Sequence, residues 1–254
     1  MGQDLCKSFT EGSIECTRHD LLTMEQHKFR EGENDYWGPN DEKQNNQLDI
    51  GHHMLTLLLD NRLFLPPIDP SAKPGYTFNA LDLGCGTGIW AMDFADAYPE
   101  AMVTGVDLSP IQPRWVPPNC HFTIDDIESP WGYPRDHFHF VHIRCLMGSI
   151  GNWPALYRQA YDHMAPGAWI QHLDMDITFT SDDGTVGEDH TMAQWSRTFI
   201  EAGDMMGKTF RIPDQASTLM QQAGFTDVHQ IWYKAPVGPW TKDKVRQLLH
   251  TRSG

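Results

Sequence analysis

The chain has 254 residues, with 34 Asp and Glu against 19 Lys and Arg for a formal charge of −15, and 40% of it is hydrophobic. At roughly 100–200 residues per domain, that length predicts one full domain with an appendage and a sizeable core. The acidic balance and the lack of a basic stripe exclude a general affinity for nucleic acid or anionic lipid, whose phosphates need clustered Lys and Arg. The longest apolar run, Met54 to Leu59, is interrupted by Thr56 and falls far short of the ~20 residues of a membrane span. No basic or apolar leader segment opens the sequence, and Cys6 stands where a myristoylation site needs its hydroxyl residue. The cysteines (Cys6, Cys16, Cys85, Cys120, Cys145) are odd in number and form no CxxC pair, so a reducing compartment, cytoplasmic or nuclear, is expected.

Residues 1–35 are polar and weakly patterned and read as a loose tail or a short helix around Leu21 to Phe29. Asn40 can cap a helix with apolar positions at Leu48, Leu55, Leu58 and Leu59, ending near Asn61. Pro66, Pro67, Pro70 and Pro74 then form a stiff linker, so 1–75 is a tail with a helical lid and 76–254 the main domain. Strands are predicted at Thr77–Leu83, Met102–Leu108, His121–Ile124 and Phe138–Ile143. A helix spans Gly88–Tyr98, and another runs from the cap Asn152 to Met164 before Pro166-Gly167 breaks it. A fifth strand, Trp169–Leu173, precedes helices at Glu188–Met206 and Asp214–Ala223, a C-terminal Gly224 and a strand at Val228–Tyr233. Strands separated by helix-length crossovers predict an α/β fold with a mostly parallel sheet and helices on both faces.

The strongest signal is Ala80-Leu81-Asp82-Leu83-Gly84-Cys85-Gly86-Thr87-Gly88-Ile89, a buried strand that turns through glycines into a helix. Glycines there let a ligand lie against the backbone and tolerate positive φ. The dinucleotide fingerprint needs GxGxxG, but here the spacing is GxGxG with Ile89 at the later glycine's position, which disfavours a nicotinamide cofactor. Asp82 suits a ligand with a cationic amino-acid end; the competing reading of the triplet is a tight turn. The next strand ends in Val106-Asp107-Leu108-Ser109, which puts a carboxylate beside the first strand, where it can accept from both ribose hydroxyls or simply cap a turn. Ile124-Asp125-Asp126-Ile127 puts an acid and an apolar cover at the third strand's end, suited to an adenine amine and ring, or to a solvated turn.

Together these motifs resemble the class I S-adenosylmethionine-dependent methyltransferases. Particular stretches look like the fungal LaeA-like methyltransferases of secondary metabolism: Asn34-Asp35-Tyr36-Trp37-Gly38-Pro39, Ser109-Pro110-Ile111-Gln112-Pro113 with Trp115-Val116-Pro117-Pro118, and His142-Ile143-Arg144 with Gly148-Ser149-Ile150. The resemblance, over roughly residues 34–240, implies a Rossmann-like sheet, S-adenosyl-L-methionine as cofactor, and for some members association with velvet-type regulatory proteins. It implies that Gly84, Gly86 and Gly88 approach the methionine part, with Cys85 in the same loop, Asp107 and Leu108 the ribose, and Asp126 with Ile127 the adenine. Such folds close with a seventh, antiparallel strand; 17 residues follow Val237 and Thr241 to His250 reads as a helix, so either the chain is truncated or that strand is supplied otherwise, and the edge at Val228–Tyr233 is expected to invite a homodimer or leave a mobile C-terminus, unless it pairs directly with Trp169–Leu173.

Methyl transfer needs mainly alignment, with a base only for some acceptors. Candidates lie at strand C-ends, His142 and Arg144 after the fourth strand and His172 and Asp174 after the fifth, with His142 and His172 the expected catalytic groups. Arg144 can bind the cofactor's carboxylate or pair with a surface acid. His137 and His139 share a strand face opposite to His142, so a zinc site is not expected. Tyr36, Trp37 and the His52-His53 helix read as a lid over the cofactor or as an aromatic anchor, and Cys85 as a small filler rather than a nucleophile. Three functions stay open: methyl transfer to a small molecule or protein side chain, a regulatory protein that binds the cofactor and works through partners, and a cofactor-binding cyclase.

Overall fold

Among the described residues a crossover helix joins the first strand to the second and the fourth to the fifth, while irregular segments long enough to cross join the second to the third and the third to the fourth, and every neighbouring pair is parallel. The computed structural model describes residues 38, 39, 41–71 and 75–237. In it β1 (Asn79–Leu83), β2 (Met102–Asp107), β3 (Cys120–Ile124), β4 (Phe138–Arg144) and β5 (Met164–Leu173) form one sheet in the order β3-β2-β1-β4-β5, with every neighbouring pair parallel. The chain winds outward from β1 to β3, then returns to the other side of β1 with β4. That reversal opens a crevice at the strand C-ends between β1 and β4, where α/β sheets bind ligands.

Both faces of the sheet are covered, which is why β1 is buried from Ala80 through Leu83. On one face Ala80, Val103 and Phe140 pack against Trp90 and Phe94 of α2 (Ile89–Ala97). On the other, Leu81, Leu83, Val141 and Ile143 join Leu156 and Tyr157 of α3 (Trp153–His163) and Ile212 and Met220 of α5 (Ile212–Ala223). Asn152 caps α3 by accepting from the Ala155 N–H at 3.0 Å, and Gly224, at φ 111°, closes α5 in the left-handed conformation. The N-terminal helix, α1 (Glu42–Leu58), is capped by Asp41, which accepts from the Gln44 N–H at 2.9 Å; Asn40, the expected cap, lies outside the described residues. The remaining helix, α4 (Thr191–Met206), starts at His190.

Two elements differ from expectation. Pro166-Gly167 does not precede the fifth strand but lies within it. Met164 pairs with Phe138 and Trp169 with Phe140, so the extra residues bulge out where proline has no N–H to give to a ladder. Residues 228–233 form no strand: Gln230 donates to the Pro213 carbonyl at 2.7 Å and Lys234 pairs with Asp182, holding the segment against the start of α5 and the loop before α4. Among the described residues the sheet therefore ends at β5, and the open edge expected at 228–233 does not exist as drawn. The helices expected at 21–29 and 241–250 lie outside the described residues, and no described helix is long and apolar enough to cross a membrane.

Candidate functional site

The C-ends of β1, β2, β3 and β4 open onto a cavity of about 280 Å³. Its floor is the glycine loop. Gly84, Gly86 and Gly88 have φ of 66°, 57° and 79°, all in the left-handed region that glycine enters at no steric cost. A Cβ on Gly88 would sit 2.2 Å from Cζ of Phe122. Gly88 starts α2 packed against that ring and, unlike its neighbours Thr87 and Ile89, does not line the cavity. Gly84, Cys85 and Gly86 do line it.

Asp107 stands at the end of β2 with its carboxylate fixed by backbone: Oδ2 accepts from the Gly86 N–H at 2.7 Å and Oδ1 from the Ser109 N–H at 2.8 Å. Gln112 reinforces the corner by donating to the carbonyls of Gly86 and Ser109 at 2.7 and 3.0 Å. Leu108 lines the cavity alongside. At the end of β3, Asp125 is exposed, Asp126 half-buried and Ile127 buried, and all three reach the cavity. The Asp126 carboxylate accepts from the Glu128 N–H at 2.9 Å, which fixes the turn.

The roof is α1, through Leu48, Gly51, His52 and Leu55. Its ties are specific: Thr87 of the glycine loop donates to Asp49 at 2.6 Å, and His52 bridges Arg144 and Asp93, each at 2.9 Å. Arg144 also lines the cavity, as do Cys145, Leu146 and Ser149 of the loop that follows it, and Met175 and Lys208 opposite. Tyr36, the remaining expected site residue, lies outside the described residues.

The two histidines expected to do chemistry are placed elsewhere. His142 is fully buried behind Asp82, which accepts from its Nδ1 at 2.7 Å, and its ring stacks on Trp90 with centroids 3.7 Å apart. Asp82 lines the cavity and His142 does not. His172 is likewise enclosed, between the Tyr157 hydroxyl at 2.7 Å and Asp174 at 3.1 Å, with its ring on Trp153. Neither imidazole lines the cavity: each expected catalytic group is enclosed and hydrogen-bonded to an aspartate, His142 to Asp82 and His172 to Asp174. Burial, helped by Asp82 and Asp107, pushes the Cys85 thiol far up, and burial beside Asp174 pushes Cys145 up to about 12; neither is a thiolate near neutral pH.

Burial also holds His142 below the ordinary histidine range, outweighing the Asp82 carboxylate, and burial together with His137 lowers His139. The unfolded chain takes up these protons near pH 6.5 while the folded one resists. Stability should therefore be fully present above about pH 6.5 and fall as the pH drops below it, by up to about 1.4 kcal/mol per pH unit per group. Urea denaturation at pH 7.5 and 5.5 checks this; equal midpoints would contradict the buried neutral state.

A left-handed glycine loop, fixed acids at the ends of β2 and β3 and a cavity at the switch point define a Rossmann-like nucleoside-binding site. The chain belongs to the family described as the methyltransferase domain, whose model matches residues 50–230. It is 41% identical over 206 residues to methyltransferase pytC of Aspergillus terreus, covering 81% of this chain and 62% of that protein. It is 35% identical over 221 residues to the secondary metabolism regulator LAE1 of Cochliobolus heterostrophus, covering 85% of this chain and 70% of the relative. With the protein-methionine methyltransferase laeA of Emericella nidulans it shares 36% over 230 residues, 89% of this chain and 59% of the relative. The chain thus spans between 59% and 70% of the length of these curated relatives.

Proposed function

We propose that this chain binds S-adenosyl-L-methionine and transfers its methyl group to a small secondary metabolite or a protein side chain. The carrying observation is the Asp107 carboxylate, held between the N–H groups of Gly86 and Ser109 beside a left-handed glycine loop, where a Cβ on Gly84 would lie 2.5 Å from Cδ2 of Leu146. The residues present fit the cofactor. Asp107 and Leu108 would hold the ribose, Asp125, Asp126 and Ile127 the adenine, and the backbone of Gly84, Cys85 and Gly86 the methionine chain, with Asp82 at its ammonium and Arg144 at its carboxylate. When bound, the cofactor supplies a methyl group already activated on a sulfonium. The chain's own contribution is then alignment and exclusion of water under α1.

A second reading draws on the regulatory names of relatives such as LAE1: the chain binds the cofactor and acts through protein partners, velvet-type regulators among them. Transfer of tritium from labelled cofactor to candidate acceptors, set against co-purification of partners, separates these readings.

Cofactor binding itself is tested by melting. S-adenosylhomocysteine at 100 times its dissociation constant should add ~2.7 kcal/mol to the folded state. Asp107→Ala should weaken its binding about 10- to 150-fold, the loss of charge-assisted hydrogen bonds worth ~1.5–3 kcal/mol. A shift with NAD but none with S-adenosylhomocysteine would overturn the reading, and an unchanged affinity in Asp107→Ala would remove the ribose assignment.

A further inference from the structure

We infer that His52 is a positioning residue that aims the Arg144 guanidinium at the carboxylate of the cofactor's amino-acid end, so that a residue of the lid helix takes part in reading that end. The inference rests on the cofactor reading above and names a part of the site not expected to touch the cofactor through its own charge.

The geometry fixes the tautomer. A guanidinium can only donate, so the His52 Nδ1 that lies 2.9 Å from Arg144 Nη1 must be a bare acceptor. The ring proton is then on Nε2, 2.9 Å from Asp93 Oδ2, which accepts it. His52 is 5% exposed, and the pair of contacts ties α1 to both β4 and α2. The imidazole is therefore neutral, immobile and oriented from behind by a carboxylate, the arrangement that second-sphere carboxylates give histidines in metal sites.

The consequence lies in charge. The chain is rich in acids, yet among the described residues Arg144 has His52 as its one hydrogen-bond partner and no ion pair. A neutral partner fixes the side chain without cancelling its charge, and four of its five N–H donors remain for an anion. Asp82, also on the cavity wall, provides the opposite charge. A cation and a carboxylate on neighbouring parallel strands, β4 and β1, match a zwitterion better than either matches a simple anion.

Calorimetry with two ligands tests this. S-adenosylhomocysteine carries the amino-acid end; 5′-methylthioadenosine has the same nucleoside and thioether without it. In His52→Ala the affinity for S-adenosylhomocysteine should fall about 10-fold or more, as for one charge-assisted contact, while that for 5′-methylthioadenosine stays within about 2-fold. His52→Gln, whose side-chain oxygen still accepts from Arg144, should recover most of the loss. Arg144→Gln, which leaves the His52–Asp93 contact in place, should erase the preference for the longer ligand even if His52→Ala does not fold. Equal losses for both ligands in His52→Ala, no rescue by Gln, or a preference that survives Arg144→Gln would each overturn the inference alone. Wild-type protein that binds neither ligand would overturn the cofactor reading and this inference with it.

Discussion

Asp174→Ala should cost about 3–5 kcal/mol of folding stability and remove most cofactor affinity, although Asp174 does not line the cavity. Its side chain is 3% exposed, and one oxygen, Oδ2, accepts from the N–H groups of Leu146 and Met147 at 3.1 and 2.9 Å and from His172 Nε2 at 3.1 Å. His172 in turn accepts at Nδ1 from the Tyr157 hydroxyl, whose proton burial secures. Removing the carboxylate strands two backbone donors and an imidazole donor in the interior, each worth about 1–3 kcal/mol when unpartnered. The loop it holds includes Cys145, at φ 54°, a conformation a non-glycine residue keeps only when its surroundings insist. Leu146 and Ser149 on that loop wall the cavity. Urea denaturation and S-adenosylhomocysteine titration measure both effects. A loss below about 1 kcal/mol would show that the loop holds itself, whereas Asp174→Asn, which keeps an acceptor, should retain most of the stability.

Gly148→Ala should cost about 2–5 kcal/mol of folding stability. Gly148 has φ 70°, and an added Cβ would lie 2.3 Å from Cζ of Phe210, with two more ring atoms within 2.8 Å. Phe210 is buried and packs edge-on against Phe199, so it has little room to yield. The Gly148 N–H also donates to the Thr209 carbonyl at 3.0 Å, joining the loop after β4 to the segment between α4 and α5. Lys208 reaches the cavity from that segment. The denaturation midpoint should fall and the ligand affinity with it; a variant that melts like the wild type would mean the two loops can separate freely.

Much of the frame could be read in the residues. The Gly84–Gly88 turn, Asp107 and the Asp125–Ile127 turn depend on local chain geometry, and local geometry is what spacing and residue type encode. Strand β4 was harder. Nearness to a strand end points to His142, but a parallel strand covered on both faces buries both sets of side chains, so His142 lies behind Asp82 and not in the crevice. The contacts that fasten α1 join residues 38 and 92 positions apart, Asp49 to Thr87 and His52 to Arg144, and no local pattern announces such pairs. Residues 228–233 have strand composition, yet whether such a run pairs is decided by what else its side chains can reach. Gln230 and Lys234 found partners away from the sheet.

The walls of the cavity carry five carboxylates, Asp82, Asp107, Asp125, Asp126 and Glu128, against the two bases Arg144 and Lys208. On the proposed reading, the methyl donor enters as a sulfonium and leaves as a neutral thioether, and a field of this sign attracts the first more than the second. On that reading the spent molecule would be held less firmly than the fresh one. Turnover would then be protected from its own by-product by the same acids that recognise the sugar and the base, and raising the ionic strength would erode that protection at the open, Asp125 side first.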